Sequence, residues 1–580
     1  MNAELLLKHF DRISEAPDAV TRLRRFILDL AVRGKLVEQD PNDEPAAGLL
    51  KRIEAERARL VNTGSIKKSK TVLAVTRGEH PFNTPAQWQF VRLGQVLGMI
   101  NGRAFKPNDW LERGLPIVRI QNLNNSQAPF NYCDPETIEE RHLIRDDDFL
   151  ISWSGTPGTS FGAFIWKRGP AALNQHIFRC IQIGDGFEPD FLRLAINSQL
   201  DVLISQAQGG VGLQHVTKGT LEALPLPLPP RAEQRRIVAK VDELMELCDQ
   251  FEAARNECEA RRDRLLAASL NRIGTAPVAS DEAATEAQSA IPLPDAARFH
   301  LDRLTRLTTR PEHIKQLRQT ILNLAVRGRL VPQDPNDEPA AELLKWIGAE
   351  MTQLVKDGER KKGAPLPDVD LEQAPFDLPL GWSWARFPEL GIFGRGKSKH
   401  RPRNDVVLFD GGTHPLIQTG DVARSKGVIR TYTNKYNDTG LAQSMKWPAG
   451  TLCITIAANI ADSGILSFDA CFPDSVVGFI PASMFKNARY FEYFMRTAKA
   501  NLLEFAPATA QKNINLEILN AVLIPIPPLA EQDHIVAKVD ELMDLCDQLE
   551  VQLTATLADS GRLLEAALHE ALAPAMEQAA

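Results

Sequence analysis

The sequence predicts an α+β fold: two globular α/β domains separated by a pair of long antiparallel coiled-coil helices, with an internal pseudo-two-fold repeat. Three observations predict it. LRRFILDLAVRGKLVEQDPNDEPAA, from Leu23, returns as LRQTILNLAVRGRLVPQDPNDEPAA from Leu317. AEQRRIVAKVDELMELCDQFE, from Ala232, returns as AEQDHIVAKVDELMDLCDQLE from Ala530. Between these repeated blocks lie two stretches of nearly equal length whose sequences have diverged, so one frame occurs twice around two different inserts.

Residues 1–79 read as an N-terminal helical region. Leu23, Phe26, Ile27, Leu30 and Ala31 form a helical apolar stripe that stops at Gly34, as its copy stops at Gly328. The DPNDEP segments alternate acid with Pro, which suits a turn and a helix start better than a cation site. Residues 80–228 form the first insert, with strand-like runs LPIVRI and FLIS bounded by turn formers.

Residues 229–375 form a central region. Ile237, Val241, Leu244, Cys248, Phe251, Arg255, Cys258, Arg262 and Leu265 follow a 4,3 spacing, the pattern of a coiled coil. A helix of roughly 40 residues at about 1.5 Å per residue makes a rod near 60 Å long. The Ala/Ser/Glu/Pro-rich stretch 275–297 reads as a flexible linker, and the repeated helical block follows it. Residues 376–526 form the second insert, with strand-like TLCITIA and SVVGFI. Residues 527–580 close the chain with a second long helix, spaced through Ile535, Val539, Leu542, Cys546, Leu549, Leu553, Thr556, Ser560 and Leu563. The linker lets the second half swing round and pair the two helices antiparallel.

The 580 residues are 44% hydrophobic and 24% charged, in the range of ordinary globular chains. The formal net charge of -7 speaks against binding nucleic acid by bulk electrostatics, so any affinity for it must be local. Seven scattered cysteines form no C-x-x-C pair, which points to free thiols in a reducing compartment and to no zinc site. No apolar run reaches the roughly 18 residues of a membrane span and the N-terminus lacks signal-peptide character, so a cytoplasmic protein is expected.

Gly391 to Ser398 satisfies the phosphate-loop expression, but KHRPRNDVV follows in place of the helix that would hold phosphates. The same segment places Arg395, Lys397, Lys399, Arg401 and Arg403 close together with no acid among them, as a phosphate-backbone contact would; a solvated basic loop has the same composition. In the first insert, Arg103, Lys106 and Arg119 lead into Gln121, Asn122 and Asn124, side chains able to bond base edges and equally common in turns. Late in each insert, Gln214, His215, Thr217 and Lys218, and Gln511, Lys512, Asn513 and Asn515, suit either DNA contact or helix capping. No methyltransferase, nuclease or metal-binding motif accompanies them.

The order of helical block, insert and Pro-Pro-x-x-EQ helix, repeated once, resembles the specificity subunit of type I restriction–modification systems. LAVRGKLVEQDPNDEPA, LPLPLPPRAEQRRIVAKVDELM, GRAFKPNDWLERGLPIVRIQNLN and GRGKSKHRP with HPLIQTGDV carry the resemblance, the last adding Gln418 and Thr419 as candidate contacts. It covers the whole chain apart from the linker. It implies that each insert is a target-recognition domain reading one half of a bipartite site in double-stranded DNA, while the helices fix their separation and dock two methyltransferase subunits. Restriction subunits with translocase activity would join that core in a bacterial or archaeal cytoplasm. The subunit would bind no cofactor and catalyse nothing; S-adenosylmethionine, ATP and Mg would serve its partners.

Overall fold

The computed structural model describes residues 14–63, 74–155, 161–199, 208–210, 213–275, 303–358, 374–457, 461–500 and 516–572. The chain divides into two compact units, residues 1–257 with 557–580 and residues 258–556. The proposed linker, 275–297, lies outside the described residues except for Thr275, the last residue of a helix.

In the first unit, α1 (Ala19–Val32) buries Phe26, Ile27, Leu30 and Ala31, the stripe read from the sequence. The helix stops at Gly34, whose φ of +68° favours glycine and where a Cβ would fall 2.6 Å from Pro85 and 2.9 Å from Trp88. Asp40 Oδ1 then accepts the Asn42 amide at 2.9 Å, a turn held by its own side chain, before α2 (Ala46–Asn62).

The first insert opens with β1 (Gln89–Arg92) and β2 (Leu97–Asn101). There follow β3 (Leu115–Val118), α3 (Ile120–Asn124), β4 (Asn131–Cys133), β5 (Leu143–Ile144) and β6 (Phe149–Ser152). Then come β7 (Gly162–Ile165), β8 (Ala171–Leu173), β9 (Ile177–Gln182) and α4 (Pro189–Asn197). One sheet runs β2-β9-β6-β7 and another β4-β3-β8-β5, in which β3 and β8 are parallel. The last strand, β10 (Pro225–Leu228), pairs antiparallel with β1, Gln89 opposite Leu228, and so brings the two ends of the insert together.

The long helix α5 (Arg231–Thr275) begins there. Its first turn carries Glu233, whose carboxylate accepts the Trp88 indole N–H at 2.9 Å inside the core.

The second unit repeats the plan. Helix α6 (Pro311–Val326) ends before Gly328, at φ +64° against Pro379 and Trp382, and α7 (Ala340–Lys356) follows. The second insert contains β11 (Ser383–Ala385), β12 (Gly391–Arg395), β13 (His414–Leu416), α8 (Thr419–Arg424) and β14 (Gly427–Ile429). It continues with β15 (Asn434–Tyr436), β16 (Lys446–Trp447), β17 (Leu452–Thr455), β18 (Ser463–Leu466), β19 (Ala470–Cys471) and β20 (Val476–Pro481). Helix α9 (Arg489–Ala500) and β21 (Ile524–Ile526) complete it.

Strand β21 pairs with β11 as β10 does with β1. The sheets run β12-β20-β17-β18-β14 and β15-β13-β19-β16. The second long helix, α10 (Leu529–Leu572), repeats the buried bond, Trp382 Nε1 to Glu531 at 2.9 Å.

The two long helices exchange ends. The first unit holds the start of α5 and the last turns of α10; the second holds the start of α10 and the last turns of α5. In the first unit Leu564, Ala567 and Leu568 pack on Ala16, Ala19, Phe26 and Leu30. In the second, Leu266 and Leu270 pack with Leu307.

The buried stripe also shifts. The heptad pattern holds at Ile237, Val241 and Cys248, but Cys258 is exposed, and farther on Leu266 is buried while Leu265 is exposed. An unsupercoiled helix drifts by about 20° per heptad from a strict seven-residue repeat, so four heptads carry the inner face almost one residue onward. In α10, likewise, Leu564 is the fully buried residue and Leu563 is only partly so.

Candidate nucleic-acid interface

Strand β12 is hydrogen-bonded along its whole length to β20, Arg395 opposite Val477, and no helix follows it, so the phosphate-loop expression at Gly391 has no phosphate-loop geometry. The chain instead enters a long loop anchored through its backbone. The Gly396 amide bonds Val476 O at 2.9 Å, and Gln443 Oε1 accepts the Lys399 amide at 2.7 Å. Farther along, His400 Nε2 lies 2.8 Å from Asp405, holding that carboxyl below its usual range.

These anchors sort the five basic residues. Arg395, Lys397 and Lys399 are exposed and have no side-chain partner among the described residues. Arg401 donates to the carbonyls of Ser398 and His400, and Arg403 is paired with Asp474 at 2.7 Å. Three of the five thus present charge to solvent; Arg401 is spent on the loop itself, and Arg403 ties the loop to Asp474, between β19 and β20. Arg430 and Lys435, passed over in the sequence, are exposed too, Lys435 lying over the Tyr432 ring. The stretch GVIRTYTNKY contains no acid, which is the signal that could have found them.

Beyond the loop, β13 delivers Gln418 and Thr419. The Gln418 side chain is exposed, while its backbone amide is held by the buried Asp421 carboxylate at 2.9 Å. Asp421 also accepts the Thr433 hydroxyl at 2.8 Å and Arg424 at 2.8 Å, so this corner is fixed. Glu492, from α9, is buried close by. A Cβ on Gly427 would meet its carboxylate at 3.1 Å, and the nearest guanidinium, Arg496, is 3.8 Å away. Burial raises the Glu492 pKa to about 7 against the opposing pull of Arg496 and Arg489.

In the first insert Arg103 is tied down, bonding Thr137 O at 2.9 Å and pairing with Asp109. Lys106 is exposed. Arg119 is half-buried, with one guanidinium nitrogen 3.3 Å from Asn131 Oδ1 and its plane near the Trp110 ring. Trp110 itself is 44% exposed, an aromatic that charge-based reading of the loop passed over.

Gln121 and Asn124 are exposed. Asn122 corrects the sequence reading: its side chain is fully buried, accepts the Arg119 amide at 3.0 Å and donates to Ala128 O and Pro129 O, leaving nothing for a base. Thr217 caps the following short helix through the Thr220 amide, and Lys218 bonds Met99 O at 3.0 Å. Both are engaged structurally. Gln214 and His215 lie on a short strand, Leu213–His215. Gln511, Lys512, Asn513 and Asn515 lie outside the described residues.

Charge is distributed unevenly between the inserts. Residues 376–526 contain 16 Lys and Arg against 12 Asp and Glu, and residues 80–228 contain 12 against 14. The basic surplus of an acidic chain therefore sits in the second insert. Among the described residues no cluster of His, Cys, Asp and Glu could hold a metal ion, and no helix is long and apolar enough to cross a membrane.

The family model for the type I restriction modification DNA specificity domain matches the chain twice, at residues 85–258 and 386–558. The chain belongs to the type I restriction–modification specificity family. The specificity subunit of the type I restriction enzyme EcoEI from Escherichia coli is 30% identical over 95% of this chain and 94% of its own length. The EcoAI specificity subunit, also from Escherichia coli, is 30% identical over 91% and 90%. Among solved structures, the HsdS subunit from Thermoanaerobacter tengcongensis matches at 19% identity and a TM-score of 0.42, over 85% of this chain and 98% of that one. As a specificity subunit, this chain carries two DNA specificity domains, and each matched segment includes an insert's two four- or five-stranded sheets and the start of a long helix.

Proposed function

We propose that each insert reads one half of an asymmetric, bipartite target in double-stranded DNA, while α5 and α10 set the unread gap and dock two methyltransferase subunits. Restriction subunits with translocase activity join this core in the cytoplasm. The chain contributes recognition and no chemistry; S-adenosylmethionine, ATP and Mg are used by its partners. The observation that carries the reading is one frame repeated down to its buried bonds, Trp88 to Glu233 and Trp382 to Glu531, around inserts that differ in sequence and charge. Two different surfaces on equivalent mounts suit two different half-targets. Half-sites one helical turn apart, about 34–36 Å, need a spacer of fixed length to be read in phase.

Co-expression with the methyltransferase partner followed by mapping of modified bases tests this. An interrupted, asymmetric motif is expected, and a continuous palindrome refutes the two-reader model. Replacing residues 376–526 by another family member's insert should change one half only. Adding one heptad to each long helix should alter the gap and leave both halves intact.

A further inference from the structure

The two inserts share little sequence, yet their strand registers superimpose one position in each. In the first, β3 pairs antiparallel with β4, Leu115 opposite Cys133 and Ile117 opposite Asn131, and parallel with β8. In the second, β13 pairs antiparallel with β15, His414 opposite Tyr436 and Leu416 opposite Asn434, and parallel with β19. Leu-Pro-Ile-Val-Arg119 therefore corresponds to His-Pro-Leu-Ile-Gln418, with a proline at the same register in both.

The support behind this position is also shared. Three residues on, a buried side chain returns to hold the backbone amide: Asn122 accepts from Arg119 at 3.0 Å, and Asp421 from Gln418 at 2.9 Å. The residues Asn122 and Asp421 are 0% and 7% exposed, so the backbone at this position is fixed in each domain. What differs is the side chain carried there. In one domain it is arginine, steadied between Asn131 Oδ1 and the exposed Trp110 ring; in the other it is an exposed glutamine with no side-chain partner among the described residues.

From this equivalence we infer that Arg119 and Gln418 are matched base-reading side chains, Arg119 for a guanine in one half-target and Gln418 for an adenine in the other. The chemistry follows the two forks. A guanidinium donates twice, to guanine O6 and N7, while a carboxamide accepts from adenine N6 and donates to N7. Neither side chain satisfies the other base in the same pose. A fixed backbone leaves little disorder to lose on contact, the condition under which a single pair discriminates well. This inference rests on the proposed division of labour between the inserts.

The test uses the full chain with its methyltransferase partner, comparing base modification by the parent, Arg119→Gln and Gln418→Arg. Arg119→Gln should change preference at one G·C position of one half, and Gln418→Arg at one A·T position of the other. Each selectivity change should be roughly 5- to 150-fold, the range of one bidentate pair. Selectivity unchanged in both variants overturns the inference, as does a change spread over both halves.

Where a variant modifies nothing, Gln418→Ala is measured by DNA binding against salt. Relaxed A·T preference at an unchanged salt slope supports the base contact. A lower slope with preference intact makes Gln418 a phosphate contact, and loss of all binding makes it structural; both overturn the assignment. Exchange of residues 376–526 is run alongside. If the exchange moves one half-target and the point variants do not, the base assignment fails and the two-reader model stands; if the exchange moves neither half, the model itself fails.

Discussion

Replacing Lys397 and Lys399 together by Gln should weaken DNA binding in a way that salt reveals. Both side chains project from a loop whose backbone is fixed at Val476, Phe472 and Gln443, so their removal leaves those anchors in place. Each phosphate neutralised contributes about 0.9 to the slope of log affinity against log salt, so losing two lowers the slope by about 1.8. Between 50 and 200 mM NaCl the parent complex should therefore lose roughly 12-fold more affinity than the variant. The assay is fluorescence anisotropy of a labelled target duplex with the assembled methyltransferase complex across that range. Arg403→Gln is the control: its guanidinium is engaged by Asp474, and its slope should stay within about 0.5 of the parent. A double variant whose slope matches the parent's refutes the assignment of this loop to the DNA backbone.

Other outcomes follow from the buried polar groups. Trp88→Phe and Trp382→Phe each leave a buried carboxylate without its indole donor and should each cost about 1.5–3 kcal/mol, read as a lower urea midpoint. Glu492 has its folded pKa raised to about 7 from 4.5, so the folded state holds the proton more tightly and stability falls as pH rises from about 4.5 to 7. Glu492→Gln should remove that dependence, adding about 3 kcal/mol near pH 8 and almost nothing at pH 4.5; equal melting shifts at both pH values contradict it. Of the seven free cysteines only Cys258 is exposed, so maleimide under native conditions should add one label by intact mass, and Cys258→Ser should abolish it.

The repeated frame was legible because its paired residues recur on both sides of each insert. Trp88 and Trp382 lie at the entrances, and Glu233 and Glu531 at the exits, so the bonds joining them recur as well. The inner face of the long helices was legible for two heptads and then drifted, since spacing alone does not separate a 3.5 from a 3.6 repeat over a few turns. Site residues were harder to read. Composition counts Arg401 and Arg403 with Lys397 and Lys399, and only the fold reveals which are already occupied by Ser398, His400 and Asp474. Asn122 misled because the amide that suits a base edge equally suits the backbone of its own turn. The match of Arg119 with Gln418 is carried by strand register and by the side chain three residues on, signals too sparse to stand out in diverged sequence.

The exchange of helix ends imposes an order on biosynthesis. The first unit combines residues up to 257 with residues from 557 onward, so the complete second unit is translated before the last pieces of the first exist. At about 5–20 residues per second, the ribosome takes roughly 15–60 s to cross that interval. Throughout it the Phe26 and Leu30 face of α1 awaits Leu564 and Leu568. A nascent chain in that state exposes an apolar seam that its own C-terminal helix covers in the finished fold, and stop codons before Leu564 should leave products that chaperones retain and proteases clear.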